Sequence, residues 1–419
     1  METPDMKRAL SVLVMMFLLL PAYVSAADNG TYRNLRIFTD VIEEIERSYV
    51  EEPDSEQLIE EAIKGMVNSL DSHSALLPPQ AHSELREDTR GRFSGVGLVL
   101  SIRDEKLTVV SPIDGSPAKE AGIRNGDVII AIDDQKTATM TMEESIELMR
   151  GVRGSMVTLT VLQKKGGKEM RVTLRRDEIP LQSVAHYELK PGFPFIAVTS
   201  FNDNTAGDFE KAVLAHESKG AVKGPVLDLR DNPGGILQQA VDMVDLFIAD
   251  GVIVSIKGRA KEQRQVWRAT TEKPVRSFPV VVLINGGSAS ASEIVAGALK
   301  DQKRALILGT TSFGKGSVQN IIPLSDGFGL KLTVALYYTP SGTSIQAKGI
   351  VPDVELPFQE MAFASEEKSM AERDLPNHIK ANDKADEEPL PQAPERLKRD
   401  NQVQRALELL LSRSIFGNG

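Results

Sequence analysis

The chain has 419 residues, 41% of them hydrophobic, a formal charge of −10 and no cysteine. That length implies two or three domains, the apolar share is enough for packed cores, and the acidic balance argues against nucleic-acid partners. Without cysteine there is no thiol catalysis, disulfide or thiolate metal site; the five histidines form no HExxH or HxH pair, so neither a metal nor a cofactor is expected.

At the start of the chain, Lys7 and Arg8 precede an apolar run over residues 10–20, Pro21 breaks it, and Val24, Ser25 and Ala26 make a small-x-small cleavage site. This predicts a signal peptide over 1–26, because the run is too short to span a bilayer. The mature protein is then exported, to the periplasm or cell envelope, with no stable membrane span. Residues 27–90 read as a helical region. Leu35, Phe38, Val41, Ile42, Ile45 and Tyr49 recur at helical spacing, and a second set from Leu58 to Leu70 follows Asp54 and Gln57, which resemble a capping box. Pro78 and Pro79 are expected to end the helices. Two short amphipathic helices need cover, either from the body of the chain or from a second subunit.

Residues 91–177 are punctuated by glycine: Gly95, Val96, Gly97 and Leu98 open a strand-like run, and Pro117 starts a short helix at its first position. A turn at Asn125–Asp127 leads to a strand over 128–132, a helix ends near Arg150, and a hairpin turns at Gly166 and Gly167. This order, with SPAKEAGIRNGDVI at 116–129, resembles a PDZ domain of the bacterial protease type. The resemblance implies that the N–H groups of Gly95, Val96, Gly97 and Leu98 receive a peptide's terminal carboxylate, and that the peptide adds to the neighbouring strand edge.

Residues 178–358 alternate strands and helices, which predicts a layered α/β domain. Within it, the apolar run 280–284 reads as a strand buried on both faces. A loop with Ser288, Ser290 and Ser292 follows, and a helix begins near Glu293. Unpaired N–H groups gather at such a junction. One serine is a candidate nucleophile; a helix cap explains the serines equally well. A serine needs a base, and histidines are scarce. Lys315, flanked by Leu308, Phe313, Val318 and Ile321, could serve if burial lowers its pKa, and Gln319 is close enough in sequence to orient its amine; taken alone, a surface lysine in a glycine loop is the plainer reading. The stretch 309–316 nearly matches a phosphate-binding GxxxxGK[ST] loop, but Gly316 replaces the hydroxyl residue and the following residues have strand composition. Residues 359–400 read as a charged, disordered linker, and 401–419 as an amphipathic helix that docks on the body or on another subunit.

LDLR at 227–230 with NPGG at 232–235, GSASASE at 287–293, FGKG at 313–316 with Gln319, and KGIVPD at 348–353 resemble the carboxyl-terminal processing proteases in order and spacing. LDSHS at 70–74 and LPP at 77–79 resemble that family's N-terminal segment. The resemblance implies an α/β, crotonase-like (ClpP/crotonase-type) protease core with an inserted PDZ domain and helical terminal segments. By position it implies Ser290 as nucleophile, Lys315 as general base and Gln319 as its orienting residue. Ala291 N–H is then one oxyanion donor, with Gly234 or Gly235 supplying the other. Arg230 is expected to clamp its loop through backbone carbonyls rather than bind substrate. Arg150 is either a sensor of the bound peptide or a plain surface arginine. The expected function is an exported serine endopeptidase acting on protein substrates with apolar C-termini, as a monomer or as a homodimer or higher oligomer, with room for an activating adaptor. A PDZ scaffold on an inactive core is the rival reading.

Overall fold

The computed structural model describes residues 29–270, 275–361 and 393–416. The expected signal peptide at 1–26 and most of the expected linker at 359–400 lie outside the described residues. Among the described residues, no helix is long and apolar enough to cross a membrane.

The described residues up to Leu70 form one compact unit, and the described residues from Asp71 onward another. In the first, α1 (Asn29–Ser48) is followed by α2 (Ser55–Asn68). Asp54 caps α2 by accepting from the N–H groups of Glu56 at 3.0 Å and Gln57 at 3.2 Å. Tyr32, Leu35, Phe38 and Val41 of α1 are exposed.

The second unit opens with β1 (Ala75–Leu77) and α3 (Pro79–Arg90). Pro79 begins this helix instead of ending the helical region. Proline fits the first helical position because its missing N–H has no partner there anyway, and Gly91 closes the helix in the left-handed conformation. Next, β2 (Arg92–Gly95) pairs with β9 (Asp177–Pro180), framing a β-rich module. Its sheet runs β3 (Leu98–Arg103), β4 (Lys106–Pro112), β5 (Val128–Ile132), β7 (Met156–Leu162), β8 (Glu169–Arg175), with the short β6 (Gln135–Lys136) on β5. The module has its own core of Val109, Ile123, Ile129, Ile132, Leu159 and Val161, so β3 is left as an edge strand. Two helices accompany it, α4 (Pro117–Glu120) and α5 (Met142–Met149).

The remaining α/β body is built on β10 (Val184–Lys190), β11 (Phe193–Val198), β12 (Val226–Asp228), β15 (Val280–Ile284), β16 (Ala305–Gly309) and β19 (Val354–Glu355), in that order. All neighbours are parallel except β10 and β11. Between the strands run α6 (Thr205–Glu217), α7 (Leu237–Asp245) and α8 (Ala291–Asp301). A second, antiparallel sheet orders β1, β18 (Gly329–Tyr338), β13 (Val252–Gly258) and β14 (Arg264–Arg268), with β17 (Ser317–Pro323) also on β18.

Strand β15 explains why the body has two cores. Val280, Val282 and Ile284 point into the core shared with α6, α7 and α8. Val281 and Leu283 point the other way, into a core completed by Val403, Ala406, Leu407 and Leu410. Period-two alternation buries the whole run only because both faces are covered. The second cover is α10 (Asn401–Phe416), so the C-terminal helix docks on its own body. The described ends of the expected disordered linker are ordered as well. Glu395–Lys398 forms the helical turn α9, and Glu360 bridges to Asp400. Leu397 anchors this segment by joining the same apolar core.

Candidate active site

The junction of β15 and α8 positions the three serines differently. Ser288 Oγ donates to Leu229 O at 2.8 Å and accepts from Asn285 N at 3.0 Å. Ser292 Oγ donates to Asn232 O at 2.9 Å. Both are fully buried and hold this loop against the loop after β12. Ser290 alone lines the adjoining cleft, at φ 57° and ψ −114°. A left-handed φ is costly for a residue with a Cβ, and such strain persists only where surrounding contacts enforce it. Here the enforcing group is Glu293.

Glu293 is 0% exposed. Its Oε2 accepts from Ser290 N at 2.8 Å and from Lys315 N at 2.9 Å. Its Oε1 accepts from Ser312 Oγ at 2.6 Å and from Gly314 N at 2.7 Å. Four donors stabilise a carboxylate that burial alone would penalise. One side chain therefore ties the backbone of Ser290 to that of Lys315. Tyr337, 2% exposed, holds the other side of the same residue by donating to Lys315 O. Burial pushes its phenol up, so it remains a donor.

The cleft has a volume of about 680 Å³, and Ser290, Ala291, Gly234, Gly235, Lys315, Gln319, Lys331 and Tyr337 are among its lining residues. Burial pushes the Lys315 ammonium down; the charge of Lys331 adds to the effect, and Glu293 opposes it. The segment after this lysine continues as the strand β17, so its loop does not open a helix as a phosphate-binding GxxxxGK[ST] loop does. Gln319 Nε2 donates to Ser317 Oγ at 2.8 Å and to Thr333 Oγ1 at 3.4 Å. Among the described residues no hydrogen bond joins it to Lys315.

Gly234 packs against the peptide that joins Ser290 to Ala291. A Cβ there would lie 2.7 Å from Ser290 Cβ and 2.9 Å from Ala291 N, at a φ of +99°. Asn232 holds this turn: its Oδ1 accepts from Gly234 N at 2.9 Å and its Nδ2 donates to Val198 O at 2.8 Å. The N–H of Gly234 is thereby engaged. The N–H groups of Ala291 and Gly235 have no acceptor among the described residues.

Arg230 does not clamp backbone carbonyls as expected. It forms a two-pronged pair with Asp228, at 2.8 Å and 2.6 Å, and reaches Asp400 and Gln402, each at 2.8 Å. Its ion pairs outweigh the burial that would weaken its charge, and they fasten the segment before α10 to the loop of the site. Sidedness explains the difference: Arg230 points to the sheet face that α10 covers.

A second cavity, of about 130 Å³, lies along the edge strand β3 and is lined by Gly95, Val96, Gly97, Leu98, Ile146, Met149 and Arg150, with Phe93 and Leu100. Gly97 is required there: at φ +76°, a Cβ would come within 2.2 Å of Ser116 Cβ. Arg150 is not a freely solvated arginine. Its guanidinium stacks 5.0 Å from the Phe93 ring centroid, and it lies 3.8 Å from Glu87 of α3. That helix also sends Leu85, Asp88 and Thr89 to the larger cleft.

Sequence reasoning missed Glu293 and Tyr337. The S-x-x-E spacing from Ser290 was a usable signal for the first. Nothing in the composition of β18 singles out Tyr337.

Comparison with known proteins places these features. Residues 193–356 match peptidase family S41, and residues 108–163 match a PDZ domain. The chain is 42% identical over 364 residues to a carboxy-terminal-processing protease of Bartonella bacilliformis, covering 86% of this chain and 83% of that protein. It is 36% identical to the carboxy-terminal processing protease CtpA of Bacillus subtilis, over 82% of this chain and 74% of the relative. A solved photosystem II D1 C-terminal processing protease is 29% identical, over 77% of this chain and 92% of that one, with a TM-score of 0.44. The chain therefore belongs to the carboxy-terminal processing proteases of peptidase family S41, serine-type peptidases, and carries a PDZ domain.

Proposed function

We propose that the chain is an exported endopeptidase that works through a Ser290–Lys315 dyad and takes protein substrates by their C-termini. The observation that carries the dyad is that Ser290, alone among the three serines, shares a cleft with a lysine whose charged form is disfavoured by burial. Ser290 Oγ attacks the scissile carbonyl carbon and passes its proton to Lys315 Nζ. Ala291 N–H and Gly235 N–H receive the oxyanion, which leaves Gly234 as the close-packing glycine and not a donor. Collapse breaks the C–N bond, and Lys315 returns the proton to the leaving amine. Water, deprotonated by the same lysine, then releases the acyl group and regenerates Ser290. Gln319 Oε1, which has no partner among the described residues, is the acceptor that orients the lysine amine.

The core over 178–358 is read as crotonase-type, with the PDZ domain over 91–177 inserted in it. Gly95, Val96, Gly97 and Leu98 take the substrate's terminal carboxylate, and the apolar Ile146 and Met149 suit an apolar terminal side chain. Arg150, between this groove and α3, is the candidate sensor of an occupied groove. Exposed Tyr32, Leu35, Phe38 and Val41 support a homodimer or higher oligomer, or an activating adaptor in its place; light scattering of the purified chain separates the two. Export rests on residues 1–26, and N-terminal sequencing of the mature chain tests it. The decisive assay for the activity is cleavage of a folded protein bearing an apolar C-terminus. The wild type cuts it and Ser290→Ala does not. Equal cutting by both would overturn the reading.

A further inference from the structure

Residues 71–74, from one of the family-like motifs, have no part in the chemistry described so far, yet they reach the site. Pairing of β1 with β18 sets Ala75 opposite Lys331 and brings Asp71 beside Thr333. Asp71 Oδ1 accepts from His73 N and Ser74 N, both at 2.8 Å, and from Thr333 Oγ1 at 3.1 Å. Its Oδ2 accepts from Ser74 Oγ at 2.7 Å. Burial alone would raise this carboxyl; the hydrogen bonds from Ser74 and the backbone outweigh it and hold it below the usual range. Asp71 is thus an acceptor only. On the neighbouring strand, Gln319 stands opposite Thr333 in register.

The polarity of this chain of bonds follows from proton counting. A threonine hydroxyl has one proton. Thr333 gives its proton to Asp71, so toward Gln319 it can offer only a lone pair. Gln319 must therefore turn its NH₂ to Thr333 and Ser317, which sends Oε1 the other way. We propose that Thr333 and Asp71 are positioning residues that fix the Gln319 amide, so that Lys315 meets its carbonyl oxygen and not its NH₂. This rests on the reading of Gln319 as the group that orients Lys315. The orientation matters chemically. A carbonyl takes one amine proton and leaves the lysine lone pair to face Ser290, whereas an NH₂ would donate to that lone pair and occupy it. Were Asp71 not an acceptor, the Thr333 proton could turn to Gln319 Oε1 and permit the flipped amide.

The test is a double-mutant cycle on the full mature chain with a quenched peptide substrate. Thr333→Val removes the hydroxyl at nearly constant volume and is expected to lower kcat by about tenfold or more, with KM within about twofold. Thr333→Ser should restore kcat to within about threefold of wild type, because it returns the same donor and acceptor. In a Gln319→Ala background, Thr333→Val should have no further effect, since it acts only through the amide. Should Thr333→Val fail to fold, Thr333→Ala carries the same cycle. Three outcomes overturn the proposal: wild-type kcat in Thr333→Val, no rescue by Thr333→Ser, or an undiminished effect in the Gln319→Ala background. Full activity of Gln319→Ala would overturn the orienting role of Gln319 as well. A strong Gln319→Ala loss with an additive Thr333 effect would overturn the polarity proposal alone.

Discussion

Replacing Glu293 by glutamine probes the tie between the two halves of the proposed dyad. The wild-type carboxylate accepts four hydrogen bonds, two at each oxygen. Glutamine keeps one acceptor oxygen. The less costly placement leaves it on Ser290 N and Lys315 N and turns the NH₂ toward Ser312 and Gly314. The Ser312 hydroxyl can rotate to accept, but Gly314 N–H then has no acceptor, at a cost of about 1–3 kcal/mol. The two retained bonds lose their charge assistance, for about another 1 kcal/mol each. The sum, roughly 3–5 kcal/mol, lies below the 5–15 kcal/mol typical of a folded domain, so the variant stays folded with a lowered Tm. Even a displacement near 1 Å between nucleophile and base can cost about a hundredfold in kcat. The pH profile adds an independent sign. With Lys315 as the proposed base, activity should rise as it loses its proton, and the Glu293 charge holds that proton more tightly. Removing the charge therefore moves the rising limb to lower pH while the plateau falls. Thermal melting and kcat/KM against pH on purified Glu293→Gln check this. Wild-type Tm together with wild-type kcat would refute the reasoning, and a limb displaced to higher pH would refute its electrostatic part.

Gly234→Ala should lower kcat by about 10²–10³, because its Cβ would crowd Ala291 N–H, one of the two proposed oxyanion donors; KM should change little, and steady-state kinetics reads both. Ser288→Ala and Ser292→Ala should retain catalysis but each lose about 0.5–1.5 kcal/mol of stability, since the carbonyls of Leu229 and Asn232 each lose one of two donors; urea denaturation measures it. Arg230→Ala strands two carboxylates near the attachment of α10 and should destabilise by about 3–5 kcal/mol, again read by denaturation.

Local pattern carried much of this fold. The 280–284 run reads as a doubly buried strand because no polar residue interrupts it, and the alternation of strands and helices around it reads as a layered domain. What closes the second face is less accessible: α10 shows an amphipathic pattern, but its landing site combines β11, β12, β15 and β16, far apart in the chain. Pro79 is ambiguous in principle, since proline both stops a helix and starts one. The serines show the limit most plainly. Spacing alone does not rank them, because the carbonyls that capture Ser288 and Ser292 belong to residues about sixty positions earlier. Glu293 reads as an ordinary first-turn acid of a helix, and its burial is explicable only once Ser312, Gly314 and Lys315 converge on it. The apolar flanks of Lys315 point to a buried lysine, but a surface lysine in a glycine loop fits the local pattern as well, and only the structure shows its burial. The partners of Gln319 were not legible, because Thr333 lies across a strand pair and Asp71 beyond it.

Ser290, activated by Lys315, is the proposed nucleophile. The most direct measurement is tandem mass spectrometry after labelling with a fluorophosphonate, which phosphonylates an activated serine. A single adduct on Ser290, lost in Lys315→Ala, is the predicted result. An adduct on Ser288 or Ser292, or labelling of Ser290 undiminished in Lys315→Ala, would contradict it.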